Sequence, residues 1–211
     1  STWTDESFLA ADEKLSVYLQ EYEAALKGLD LERYLAAEKK EREFMKQPLS
    51  LRYMRYIMKY TPAPLLYPVI NAIFTTVTSS PLPFGPRSEN RPGGLLHLMV
   101  QKIAGYPARG VIWYQGETDD AKPELYGRLF SAMIRCWRAA WEDDLPFLFV
   151  QLAPFERWFN VYANNYPLLR EQQEIVSKTV EGAYMASIMD VGSRLDIHPK
   201  HKRPVGERLA L

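Results

Sequence analysis

The sequence has little of the chemistry that cross-links small proteins or builds thiolate metal sites. Only one of its 211 residues, Cys136, is a cysteine, so neither an internal disulfide nor a thiolate cage can form. Its 26 basic residues are balanced by 26 acidic ones. This balance gives no broad attraction to a phosphate backbone or an anionic membrane. We therefore expect neither a nucleic-acid partner nor a membrane partner.

Long apolar runs are missing as well. No stretch of about 18 apolar residues, the length typical of a membrane span, occurs in the chain. The start, from Ser1 to Glu6, has neither the basic nor the apolar segment of a secretory signal. It also lacks an initiator methionine, so we expect a processed or truncated product whose localisation stays open.

The composition and hydrophobic pattern of the sequence change near Ser79. Residues 5–78 are poor in glycine and carry apolar residues at helical spacing. They predict a helical insertion or lid, with a first helix from Asp5 to Gly28 and a second over 31–45. Residues 79–211 alternate apolar strands with helical segments, which predicts parallel βαβ units. The predicted fold class is therefore α/β with a helical insertion.

Polar residues follow each strand of the predicted sheet. The predicted strands are 110–114, 147–152 and 183–189, and the predicted helices are 94–103, 123–141, 166–180 and 200–211. In an open parallel sheet, ligands bind beyond the carboxyl ends of the strands. The residues just after these strands, together with the loop 196–199, supply amides, carboxylates and an imidazole. We expect the functional site at this edge.

His198 is the first candidate for a catalytic residue. Pro199 disfavours the helical conformation at His198 and suits the first turn of the closing helix. A helix N-terminus keeps an imidazole neutral, as a general base requires, and Asp196 can orient the ring. A capping or surface histidine is the alternative. A metal site of His198, His201 and Asp196 is the weaker interpretation, so we expect no metal.

Gln115, Gly116 and Glu117 follow the strand 110–114. Gly116 permits a tight turn, and the Gln115 amide can donate to a developing oxyanion. Ionised Glu117 can only accept hydrogen bonds, so we expect it to hold a neighbouring loop, such as that of Arg91. Glu117 and Arg91 are the predicted substrate-binding residues. Glu117→Gln is then expected mainly to reduce stability. His97 has no partner that the sequence indicates.

Together these strings resemble a known family. Residues 113–119, Trp-Tyr-Gln-Gly-Glu-Thr-Asp, resemble the Trp-Tyr-Gln-Gly-Glu-Ser block of sialate O-acetylesterases and related acetylesterases of the SGNH-hydrolase superfamily. Residues 91–95 resemble the preceding loop and helix, and 196–202 resemble the family's histidine block. The resemblance implies a flavodoxin-like three-layer α/β/α fold, incomplete in this chain. It also implies removal of acetyl groups from sugar hydroxyls without metal or organic cofactor.

The nucleophile that the resemblance implies is a serine in a Gly-Gln-Ser-Asn block, and the sequence has no such block. We therefore expect the N-terminal part of the same enzyme, or another chain, to supply it together with the first strands. We expect this polypeptide alone to be inactive.

Two questions stay open at the level of sequence. Asp196 lies two residues before His198 rather than the three common in the superfamily, so Asp190 is an alternative acid partner and a Ser–His dyad is conceivable. A non-catalytic carbohydrate-binding or interaction module derived from such an esterase is an alternative function. A helical interaction module based on residues 5–78 is a third.

Overall fold

The computed structural model describes residues 1–45, 85–158 and 161–211. The chain forms two compact units, one of residues 1–21 with 89–211 and one of residues 22–88. The predicted insertion at 5–78 stays a prediction, because residues 46–84 lie outside the described part of the chain.

The helices and strands of the described residues largely follow the predicted order. The helices are α1 (Glu6–Ala10), α2 (Ser16–Leu26), α3 (Leu31–Met45), α4 (Gly94–Leu98), α5 (Pro123–Trp141), α6 (Tyr166–Thr179) and α7 (Arg203–Leu209), with 3-10 turns at Val100–Lys102 and Glu117–Ala121. The strands are β1 (Val111–Trp113), β2 (Phe147–Val150), β3 (Arg157–Trp158), β4 (Val161–Tyr162) and β5 (Ala183–Ala186). None of the described helices is long and apolar enough to cross a membrane.

The predicted first helix, from Asp5 to Gly28, is wrong, because the chain forms two helices there. Asp5 caps α1 as predicted, its carboxylate accepting a hydrogen bond from the Ser7 amide at 2.9 Å. Asp12 then accepts from the Lys14 amide at 3.0 Å. Such a local side-chain hydrogen bond competes with the backbone hydrogen bonds of a helix. The chain therefore turns between α1 and α2.

Strands β1, β2 and β5 form a parallel sheet in the order β1-β2-β5. Helix α5 connects β1 to β2 and α6 connects β2 to β5, so each connection is a βαβ unit. This arrangement confirms the predicted α/β class. Each strand ends earlier than predicted, which places the polar residues that follow it in loops at the carboxyl edge.

The main core lies between the sheet and the helices α5 and α6. Phe149 of β2 is fully buried, and its ring meets Phe130 of α5 edge to face at 4.9 Å. Trp113 of β1 packs edge to face against Trp137 at 5.6 Å, and Trp137 Nε1 donates to the Trp3 carbonyl at 2.9 Å. Each aromatic pair adds about 0.5–1.5 kcal/mol beyond simple burial. This packing fixes β1, and therefore the start of the Gln115 turn.

The opposite face of the sheet is less covered among the described residues. Ile112, Leu148 and Tyr184 stand side by side in the sheet register. Ile112 and Tyr184 are 68% and 60% exposed, whereas Val150 is buried in a cluster with Val205 of α7. A parallel sheet normally carries helices on both faces. Among the described residues, no helix covers this row of side chains, so the second helical layer of a complete α/β/α sandwich is missing there.

Three further details differ from the sequence-based expectation. The antiparallel pair β3–β4 was not predicted, because two-residue strands carry no alternation pattern. The predicted helix 94–103 is the short α4 followed by a 3-10 turn. The closing helix begins at Arg203 instead of Lys200, with Pro204 in its first turn.

Candidate active site

Gln115 is held firmly where β1 ends. Its side-chain Nε2 donates to Asp119 Oδ2 at 3.0 Å, and its backbone carbonyl accepts from the Tyr126 hydroxyl at 3.0 Å. Gly116 follows with φ +143°, and a Cβ there would lie 3.0 Å from the Tyr126 hydroxyl oxygen. Glycine is therefore required at this turn. The second side-chain N–H of Gln115 makes no hydrogen bond to the described residues, so it can serve a ligand.

Glu117 lies half-buried beside the Gln115 turn, within electrostatic reach of His198 and Lys202. Burial raises the pKa of its carboxyl. The backbone N–H groups of Glu117 and Gly116, which donate to this carboxyl, and the charges of His198 and Lys202 partly offset that rise. The Lys202 ammonium lies over the Tyr114 ring, 4.8 Å from its centroid. The loop after Asp196 thus packs against the end of β1, as the sheet-edge argument predicts.

His198 itself lies in an exposed loop, with its side chain 68% exposed. Asp196 Oδ1 is 3.4 Å from His198 Nδ1 and accepts the His198 backbone N–H at 2.9 Å. The predicted position of His198 at a helix start is wrong, because Pro204 rather than Pro199 occupies the first turn of α7. His198 therefore does not lie at the N-terminus of α7. Asp196 remains close enough to orient the ring.

Asp190, the alternative acid partner, is engaged elsewhere. Both of its carboxylate oxygens accept hydrogen bonds from Arg208, at 2.6 and 2.7 Å. These bonds lower the pKa of Asp190 to about 2. The geometry thus favours Asp196 over Asp190 as the partner of His198.

Arg91 belongs to a network that the sequence did not predict. Its guanidinium lies 3.4 Å from Glu6 Oε1 and 3.0 Å from His97 Nδ1. His97, for which the sequence indicated no partner, also has carboxylate oxygens of Asp5 and Glu6 at 3.5 Å from Nε2. Arg91 is thus held by Glu6 and His97, and the expectation that Glu117 holds its loop is wrong. The separation of Glu6 and Arg91 along the chain hid this contact from sequence reasoning.

Among the described residues, three members of this network are spaced as the ligands of a metal ion would be. One ligand atom each from Asp5, Glu6 and His97 lies within 4.8 Å of the others. The Arg91 guanidinium already occupies His97 Nδ1 and neutralises Glu6. A positive charge in this position opposes a second cation. That no metal takes part in the reaction stays a prediction.

Comparison with known proteins decides the family. Residues 92–210 match the family model for carbohydrate esterases described as sialic acid-specific acetylesterases. The chain belongs to this family. Membership confirms the recognition made from the sequence motifs, and it assigns the chain to a family of carboxylic ester hydrolases.

Parts of several known proteins are similar to this chain. The sialate O-acetylesterase of Rattus norvegicus is 30% identical, over 56% of this chain and 25% of the relative. The Homo sapiens protein of the same name is 28% identical, over 56% of this chain and 26% of the relative. A solved carbohydrate acetylesterase from Xanthomonas citri is 42% identical over 53% of this chain and 26% of its own, with a TM-score of 0.49. The matched region spans about a quarter of these curated relatives.

Proposed function

We propose that this chain is the histidine-bearing part of a serine-dependent esterase that removes O-acetyl groups from sugars, either sialic acid or an acetylated polysaccharide. The nucleophilic serine lies on a polypeptide segment outside these 211 residues. We call the chain together with that segment the assembled enzyme, and expect the chain alone to be inactive. The observation that supports the proposal is the contact between the loop of His198 and the end of β1, where the Lys202 ammonium lies 4.8 Å from the centroid of the Tyr114 ring. It links two motifs, distant in sequence, at one edge of the sheet.

The chemistry assigned to His198 is proton transfer. The serine hydroxyl attacks the acetyl carbonyl carbon while His198 takes its proton, and the C–O bond to the sugar breaks as His198 returns that proton to the sugar oxygen. Water then hydrolyses the acetyl-enzyme by the same route. Asp196, 3.4 Å from Nδ1, stabilises the imidazolium that forms in each half-reaction.

The oxyanion of each tetrahedral intermediate needs N–H donors. The free side-chain N–H of Gln115 is the first, because its other N–H is fixed by Asp119. The Gly116 N–H, which also lies near the Glu117 carboxyl, is the second donor once that carboxylate turns toward the substrate. Glu117 can then accept a hydrogen bond from a sugar hydroxyl. Arg91, with its side chain 18% exposed, reaches the substrate only by exchanging its contact with Glu6.

Glu117→Gln should stabilise the assembled enzyme at neutral pH, which reverses the expectation from sequence. Burial raises the pKa of Glu117 in the fold. The contribution of Glu117 to stability is therefore fully present below its unfolded-state pKa of about 4.3 and is lost as pH rises through its folded-state pKa. Glutamine does not ionise, so the variant's gain in thermal unfolding midpoint should be present near pH 7 and absent near about pH 3.5.

The matched control for this substitution is Glu171→Gln, which removes an exposed glutamate on α6 and should leave the two midpoints unchanged relative to wild type. A lower midpoint for Glu117→Gln at neutral pH would show that ionised Glu117 stabilises the fold through its cationic neighbours. The assignment of burial as the dominant influence on Glu117 would then be wrong.

A second candidate function is a non-catalytic carbohydrate-binding module, favoured by the absence of a Gly-Gln-Ser-Asn block from the sequence. Such a module would bind O-acetylated sugars and release no acetate. The experiment that separates the two functions is acetate release by the assembled enzyme, with His198 and, as a control, His201 replaced in turn. Acetate release that depends on His198 supports the esterase, and its absence in the wild type supports the module.

A further inference from the structure

Arg170 on α6 is a half-buried cation that forms no salt bridge with any carboxylate in residues 1–45, 85–158 and 161–211. Glu174, one turn further along the helix, pairs with Lys178 instead. Burial lowers the pKa of the Arg170 guanidinium. A charge that is partly removed from water and has no partner costs some free energy, so a ligand that brings a negative charge to this point would be stabilised there.

Arg170 lies near the edge of the sheet where ligands of parallel sheets bind. Its backbone carbonyl accepts a hydrogen bond from Gln151 Nε2 at 3.4 Å. Gln151 is the first residue after β2, and its Oε1 accepts from the Ser187 hydroxyl, the first residue after β5, at 3.0 Å. The turn of α6 that carries Arg170 is therefore fixed against the carboxyl ends of two strands.

Tyr166 connects this arginine with the proposed active site. It lies one helical turn before Arg170 and is 2% exposed, and its hydroxyl has no hydrogen-bond partner among the described residues. Burial, followed by the charges of Glu117 and Asp120, raises the pKa of Tyr166, and Arg170 acts in the opposite sense. Tyr166 thus lies within electrostatic reach of both Glu117 and Arg170. Asn165, which donates to Asp120 Oδ1 at 2.9 Å, ties the start of α6 to the turn after Glu117.

We propose that Arg170 is a specificity-determining residue, which binds the carboxylate of an acidic sugar whose acetyl ester is presented to His198. The inference rests on the proposed esterase function. A guanidinium offers a carboxylate two parallel N–H···O bonds, and a neutral acetylated sugar has no group that accepts them equally well. Selection for an acidic sugar therefore follows from Arg170, while the reaction at the acetyl carbonyl does not depend on it.

The test compares two substrates that differ only at the carboxylate: O-acetylated N-acetylneuraminic acid and its methyl ester. For the assembled enzyme, Arg170→Met should lower kcat/KM on the free acid by about 10- to 100-fold, the loss typical of one charged hydrogen-bonded contact. On the methyl ester the variant and the wild type should be equal, since the charge that Arg170 binds is absent. Arg170→Lys should keep part of the preference, because a point charge replaces the planar fork.

Arg135→Met is the control for removing a positive charge, because Arg135 is exposed on α5. It should leave kcat/KM unchanged on both substrates. Equal loss of activity on both substrates by Arg170→Met, or no loss on the acid, overturns the role of Arg170 while leaving the esterase function intact. A wild-type enzyme that releases acetate from neither substrate refutes the proposed function instead. In that case the affinity for free N-acetylneuraminate, measured by calorimetry, tests the role of Arg170. The inference requires that Arg170→Met lowers this affinity and that Arg135→Met does not.

Discussion

His198→Ala should lower kcat of the assembled enzyme for acetyl-ester hydrolysis by on the order of 10⁴-fold, with KM nearly unchanged. The reason is that a general base transfers a proton in the transition state and contributes little to ground-state binding of the substrate. His198 is 68% exposed and buries little surface, so its removal should leave the thermal unfolding midpoint close to that of wild type. Steady-state kinetics and a thermal melt together check the prediction.

His201→Ala supplies the matched control, because His201 is an exposed histidine three residues further along the same loop. It should retain full activity. If His198→Ala keeps activity within about tenfold of wild type, the residue is a surface histidine, and the base must be sought elsewhere. If both variants lose activity together and zinc restores it, a metal site in this loop replaces the serine-esterase mechanism.

Gln115→Ala should lower kcat by about 10²- to 10³-fold, the usual loss for one oxyanion-hole donor. Gln115 suits this role because Asp119 fixes one of its amide N–H groups and Tyr126 fixes its backbone, so the remaining N–H is preorganised. The loss should appear in kcat rather than in KM, since negative charge on the acetyl oxygen develops only in the transition state.

The control for Gln115 is Gln172→Ala, which truncates a half-buried glutamine on α6 that packs over Gly127 and should leave kcat unchanged. Gln115→Glu gives a second comparison: it preserves shape but replaces the donor with an acceptor, and should be at least as damaging as alanine. A rise in KM with unchanged kcat for Gln115→Ala would assign the amide to ground-state sugar binding instead.

The parts of the fold that sequence predicts well are those with strong local signals. Helix α5 has the predicted bounds, Pro123 to Trp141, because a first-turn proline and a clear apolar stripe mark it. Buried apolar runs likewise located β1, β2 and β5. Where two similar local signals lie close together, the sequence does not show which of them marks the start of the helix. Pro199 and Pro204 both suit a helix start, and only the folded chain shows that Pro204 has this position.

The parts of the site that sequence missed depend on contacts between distant residues or on burial. Tyr126, which fixes the Gln115 turn, occupies a buried position of α5 that in sequence looks like any other core position. The raised pKa of Glu117 follows from burial, which residue type does not reveal. Arg170 reads as a solvated helix charge until its neighbours are known. The Asp-x-His-Pro and Gln-Gly-Glu strings were recognisable because each is contiguous.

The measurement that tests the central claim most directly is the mapping of the activated serine. A fluorophosphonate forms a covalent bond with an activated serine, displacing fluoride and leaving an adduct that resembles the tetrahedral intermediate. When the assembled enzyme is labelled and digested, peptide mass spectrometry should find one labelled serine outside residues 1–211. The label should be lost in His198→Ala and kept in His201→Ala. A label on any serine within residues 1–211, or labelling that is indifferent to His198, would contradict the account.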